Sequence, residues 1–189
     1  MSREIVFRGR KIQVAVERTV GADGQPVERD VVLHPGAVAI LPLVDGERVC
    51  LLRNHRPIVG ATLLEIPAGT LEPGEAVEQA AVRELAEETG YRAGRWSKLL
   101  EFYTSPGVLT ERMYLFLAQD LTPGAMRPEA DEQLEPRVVP WDQALAWALD
   151  GTIRDAKTLV AILFWQQQRE GAGNHSDTGP VRGSPPVPV

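Results

Sequence analysis

The sequence predicts an α+β fold, and three observations carry that prediction. Strand-like apolar segments lie on both sides of one central helical segment, residues 76–89. That segment is rich in Ala, Glu, Gln and Leu and has no internal Gly or Pro. Two further helical segments close the folded part of the chain. At 189 residues the chain fits one domain with a small appendage and is long enough to bury a core.

The elements follow in order. Residues 1–34 read as β: apolar and polar positions alternate from Lys11 through Val16, a turn cluster spans 21–26, and residues 27–33 run back. This predicts a small antiparallel unit over residues 1–35, ahead of a main domain over 36–170. Residues 37–44 form a continuous apolar run, as a buried strand does; Asp45-Gly46 is a hairpin signal, with 49–52 returning. Residues 63–66 are a short strand, and Pro73-Gly74 breaks the loop before the central helix, which Gly90 stops. Residues 99–104, 112–118 and 137–139 read as strands, and 141–149 and 156–169 as helices. On the last helix Leu159, Ile162, Leu163 and Gln166 follow helical spacing. Residues 171–189, rich in Gly, Pro and Ser, read as a disordered tail. No internal repeat is present.

Composition narrows the function. The net charge is −6 with no basic stripe, which argues against a nucleic-acid partner. No apolar run approaches the roughly 18 residues of a membrane span, and Met-Ser-Arg-Glu opens no secretory signal. The single cysteine, Cys50, excludes an intrachain disulfide framework and sits in an apolar strand-like segment as a small core side chain. These features together predict a cytoplasmic protein.

The charge is concentrated in one place. Residues 69–91 contain six Glu and one Arg and so carry five of the six net negative charges. Glu84, Glu87 and Glu88 are spaced i, i+3, i+4, which puts three carboxylates on one helix face within about 100°. Like charges so placed repel. A hard divalent cation, Mg²⁺ or Mn²⁺, relieves that repulsion and uses such oxygen ligands, and two or three ions can share them. No phosphate-binding Gly-x-x-x-x-Gly-Lys loop, no Gly-x-Ser-x-Gly and no motif around the three His offers covalent or His-based catalysis. Carboxylate-bound metal favours attack of water on the phosphorus of a diphosphate.

The same stretch resembles the Nudix box: Gly69, Glu75, Arg83-Glu84-Leu85, Glu87-Glu88 and Gly90 all stand where the pattern has them, with Tyr91 where an aliphatic residue is more usual. The resemblance covers about residues 36–170. It sharpens the fold expectation to an α/β/α sandwich with a mixed sheet. It implies Glu84, Glu87, Glu88 and the backbone carbonyl of Ala68 as metal ligands. It casts Gly69 and Glu75 as structural support and Arg83 as the group that orients a metal-binding Glu.

Features outside the box resemble the ADP-ribose pyrophosphatase subgroup. Pro106 lies 15 residues after Tyr91, in Ser105-Pro106-Gly107. Arg53 and Arg56 precede Leu64-Glu65-Ile66-Pro67-Ala68-Gly69 and suit bidentate phosphate binding. Glu111 matches a position that binds ribose hydroxyls. The acidic loop of residues 129–135 implies Glu132, then Glu135, as the base for the attacking water or a late metal ligand. The N-terminal β unit resembles one through which such enzymes form homodimers and hold part of the substrate. Phe7, Phe102 and Tyr103 are core aromatics or base stackers. The expected reaction is hydrolysis of a nucleoside diphosphate sugar, ADP-ribose to AMP and ribose 5-phosphate. The alternatives are another nucleoside diphosphate derivative (a GDP-sugar, a dinucleoside polyphosphate, NADH or FAD) or a non-catalytic nucleotide sensor.

Overall fold

The computed structural model describes residues 2–128 and 133–174. The disordered-tail expectation for 175–189, and that part of the acidic loop holding Glu132, lie outside the described residues.

The chain begins with an antiparallel sheet of β1 (Ser2–Arg8), β2 (Gln13–Val20) and β3 (Pro26–Leu33). Then come β4 (Ala37–Pro42), β5 (Arg48–Arg56), a single 3-10 turn (Pro57–Val59), β6 (Ala61–Glu65), β7 (Ala68–Thr70) and helix α1 (Val77–Thr89). The long strands β8 (Tyr91–Tyr103) and β9 (Arg112–Pro123), then β10 (Leu134–Pro140), α2 (Trp141–Leu149) and α3 (Ala156–Asn174), complete it.

β4 is the centre of the molecule. It sits in a mixed sheet of order β7-β4-β9-β8, antiparallel to β7 and parallel to β9. All six of its residues are buried, because both faces are covered. Ala37, Ala39 and Leu41 face a core shared with β5, α2 and α3; Val38 and Ile40 face a second core against Ala80, Ala81 and Leu85 of α1. That two-sided burial is why the run reads as continuously apolar. The α1–sheet–second-layer order is the sandwich expected from the resemblance.

Several local expectations are adjusted. Asp45-Gly46 does turn the chain, with Gly46 at φ 81° and the Asp45 carboxylate accepting the Glu47 and Arg48 amides. The strands it joins then part after the single bridge Leu43–Val49, and β5 joins a separate sheet of order β10-β5-β6. β8 starts directly after α1, far ahead of residue 99; Gly94 and a bulge between Lys98 and Leu100 break the alternation that would have signalled it. On α3 the buried stripe runs Thr158, Ala161, Ile162, with Leu163 43% exposed outside it. The same helix runs on to Asn174, four residues into the segment read as tail.

The N-terminal sheet is tied to the main body by backbone. Val32 donates to the Val108 carbonyl at 2.7 Å and Thr110 to that of Val32 at 2.9 Å. Among the described residues no helix is long and apolar enough to cross a membrane.

Candidate active site

Helix α1 places its acids by period alone. It ends at Gly90, whose left-handed backbone (φ 75°) donates to the Ala86 carbonyl at 3.0 Å. Leu85, Ala80 and Ala81 bury one face, and this turns Glu84 and Glu88, four residues apart, toward the strand Ala68–Thr70. Both are buried, Glu88 to 3% exposure, whereas Glu87 is half-buried. Glu88 Oε2 accepts the Ala68 amide at 2.9 Å.

Gly69 is a cradle for Glu84. A Cβ there would stand 1.8 Å from Glu84 Oε1 and 2.0 Å from its carboxyl carbon. Any other residue would evict the carboxylate, so this glycine is required by close approach rather than by turn geometry.

Arg83 organises the group. Its Nε and Nη2 donate to the two oxygens of Glu75 at 2.9 and 3.0 Å, a bidentate fork. Its Nη1 donates to Glu84 Oε1 at 2.7 Å and Glu87 Oε2 at 3.1 Å. The Arg83 fork holds the Glu75 carboxyl below its ordinary value, and these acids in turn raise the guanidinium. Glu75 also accepts the Glu72 amide at 3.1 Å. Its carboxylate therefore serves Arg83 and the preceding loop.

The donor set suits a hard divalent cation. Glu84, Glu87 and Glu88 offer carboxylate oxygens from about one turn, and a positive group, Arg83 Nη1, already lies between two of them. Among the described residues no three acidic, His or Cys side chains are gathered into a ready-made cation cage.

Ala68, Gly69, Arg83 and Glu84 line a cleft of about 740 Å³ that also receives Arg56, Glu111, Lys157 and the hairpin tip Arg10-Lys11. Glu111 accepts the Thr104 hydroxyl at 2.6 Å and faces His34 Nε2 at 3.6 Å. His34 Nδ1 accepts the Gly36 amide at 3.1 Å, which leaves the ring proton on Nε2, toward Glu111.

Other predicted residues lie elsewhere. Arg53 and Glu135 face each other across β5 and β10 at 3.4 Å, and Glu135 also accepts Arg137. They border a separate, shallower cleft with His55 and Thr62. Pro106 and Gly107 form an exposed turn in which Val108 and Leu109 donate to the Ser105 carbonyl. Neither residue lines the main cleft. Of the aromatics, Phe102 packs on the core, while Phe7 and Tyr103 are exposed. Cys50 is fully buried, its thiol pushed up to about 12 by that burial, as befits a core side chain.

Sequence reasoning missed a buried polar group behind the cleft. Glu65, 2% exposed, accepts Arg56 at 2.9 and 2.7 Å and Lys157 Nζ at 2.7 Å. Asp155 accepts Lys157 at 2.8 Å and caps α3 through the Thr158 amide at 3.0 Å. The Thr158 hydroxyl receives the Ile66 amide at 2.9 Å. The signals were present: a lone acid between Leu64 and Ile66, and an Asp-x-x-Thr ahead of a helical segment.

An acid-faced helix packed on a mixed sheet, with its carboxylates seated on a glycine-containing strand, defines a Nudix-type hydrolase fold. The NUDIX domain model matches residues 33–161, and the chain belongs to that family. It is 39% identical over 168 residues to an ADP-ribose pyrophosphatase of Bacillus subtilis (strain 168), covering 88% of this chain and 91% of that one. It is 34% identical over 167 residues to a methanol dehydrogenase activator of Bacillus methanolicus, covering 87% and 90%. A crystal structure of an ADP compounds hydrolase superposes with a TM-score of 0.80 at 26% identity, covering 92% of this chain and 94% of that one.

Proposed function

We propose that the protein hydrolyses the diphosphate bond of ADP-ribose, giving AMP and ribose 5-phosphate, with Mg²⁺ or Mn²⁺ held by Glu84, Glu87, Glu88 and the Ala68 carbonyl. One observation carries the reading: the buried helix carboxylate of Glu84 shares a cleft with the cations Arg56 and Lys157 and with the hydroxyl acceptor Glu111. The overall likeness to an ADP-ribose pyrophosphatase over nearly the whole chain supports the same substrate.

Each part has a task. A divalent ion held by Glu84, Glu87, Glu88 and the Ala68 carbonyl would supply charge neutralisation for the diphosphate and a more acidic water. Arg83, fixed by Glu75, sets the rotamers of Glu84 and Glu87. Arg56 offers its free guanidinium edge to phosphate oxygens. Glu111 accepts a pair of ribose hydroxyls, held in place by Thr104. The oxygen of one water bonds to a phosphorus as the bond from that phosphorus to the bridging oxygen breaks. Two phosphomonoesters leave, and the water's protons go to the product oxygen and to solvent.

The exposed Val6, Phe7 and Val20 of the N-terminal sheet support a homodimer through this unit, and the unpaired Cys50 thiol supports a cytoplasmic location.

The test couples the reaction to alkaline phosphatase. ADP-ribose has no terminal phosphate to lose, whereas both products do. With Mg²⁺, phosphate should appear from ADP-ribose faster than from a GDP-sugar, a dinucleoside polyphosphate, NADH or FAD. No phosphate from ADP-ribose, or an unchanged rate after Glu84→Gln, would refute the reading.

A further inference from the structure

We propose that Lys157 is a substrate-binding residue. With Arg56 it forms a two-cation clamp for the diphosphate in the cleft, and Glu65 is the positioning residue behind both. The proposal rests on the cleft being a diphosphate site, as argued above.

The geometry points this way because Lys157 is not needed to balance Glu65. Arg56 already meets that carboxylate with a full bidentate fork, at 2.9 and 2.7 Å. Lys157 adds a second cation to the same oxygen, Oε2, at 2.7 Å. Its side chain is only 12% exposed, an unusual place for a lysine unless the charge is used. Of its three N–H donors, one goes to Glu65 and one to Asp155, leaving one for a ligand. Arg56 is in the same position: Nε and Nη2 go to Glu65, and Nη1 is left. Both residues line the cleft that contains Glu84.

The anchoring explains why the pair is held so firmly. Glu65 is buried on β6, and the Ile66 amide beside it is fixed by Thr158 on α3. Asp155 caps α3 and grips Lys157 in one motion. Two residues beyond Ile66, the Ala68 amide holds Glu88. One short stretch of chain, residues 65–68, therefore sets the cation wall and the carboxylate wall in register. A diphosphate gathered against the helix acids meets preset donors on its other flank, with little side-chain entropy left to lose.

The test is calorimetric binding of a methylene-bridged, non-hydrolysable ADP-ribose in the presence of Mg²⁺, with thermal stability followed alongside. Lys157→Met keeps the stem and removes the charge. It should weaken binding about 10- to 100-fold, raise KM for ADP-ribose in proportion and leave Tm within a few degrees of wild type. Lys157→Arg, which keeps the charge, should recover a large part of the loss. Unchanged affinity in Lys157→Met overturns the clamp. So does a loss of Tm and kcat with KM unmoved, the mark of a purely structural counter-ion. Wild type that fails to bind the analogue overturns the diphosphate site itself, and the clamp with it.

Discussion

Gly69 and Glu84 occupy what is nearly one volume: the hydrogen of the glycine stands where any Cβ would be driven into the carboxylate, 1.8 Å from Oε1. The overlapping atoms belong to the far end of a flexible side chain, so the backbone does not have to yield. In Gly69→Ala the fold should survive and Glu84 should swing away. We expect kcat/KM to fall about 100-fold with Tm lowered by only a few degrees, since an ångström of misplacement in a metal site costs that much. Wild-type activity in Gly69→Ala would show that Glu84 has no fixed post to keep.

Arg83 reaches three acids with one planar group, forked onto Glu75 and bridging Glu84 to Glu87. A lysine cannot reproduce the fork. Arg83→Lys should lower activity or apparent Mg²⁺ affinity about 10- to 100-fold, the usual effect of losing a partner that orients a ligand. A Mg²⁺ titration of initial rate separates the two, and rates matching wild type at every Mg²⁺ concentration would contradict the role.

Much of this was legible in the residues, and what was not has physical causes. The α1 carboxylates follow from a 3.6-residue period, and β4 from an apolar run too short for a helix. Arg53 and Arg56 read as a pair, yet on a strand three residues apart means opposite faces. The structure accordingly sends Arg56 to Glu65 and Arg53 to Glu135. Glu65 and Lys157 were missed because they lie 92 positions apart, and no local period records a contact that long; Asp155 meets Lys157 and Thr158 locally, but its link to the cleft runs through Lys157. The first half of β8 was missed because Gly94 and the later bulge erase alternation. His34 was missed because its meaning comes from Thr110 and Glu111, which fold back onto it.

Glu88 offers a contrast between function and stability. It is one of three like charges on a single helix face and is nearly fully buried. Its amide contact with Ala68 survives as a neutral acceptor in Glu88→Gln. Activity with Mg²⁺ should drop by two orders of magnitude or about that, while Tm measured in EDTA should change by only a few degrees, because the repulsion relieved on the helix face is set against the lost attraction of Arg56. A large fall in Tm in EDTA would mean that Glu88 serves the fold first.

Glu65 ties stability to pH. Burial alone would raise its carboxyl, but Arg56 and Lys157 outweigh burial and hold it below the ordinary 4.5. A carboxyl lowered by folding stabilises the native state fully above its unfolded value, and that contribution disappears as pH falls through the folded-state value. Glu65→Gln removes it at every pH and leaves two cations facing a neutral amide. At about pH 7 the variant should be less stable by about 2–3 kcal/mol, a Tm lower by roughly 5–10 °C. Below 4.5 the unfolded wild type takes up the proton first, and the gap in Tm should narrow as the pH falls toward the lower folded-state value. Other carboxylates titrate in both proteins and cancel in the difference. A gap that stays constant across this range would mean that Glu65 is not the ionised hub holding Arg56 and Lys157.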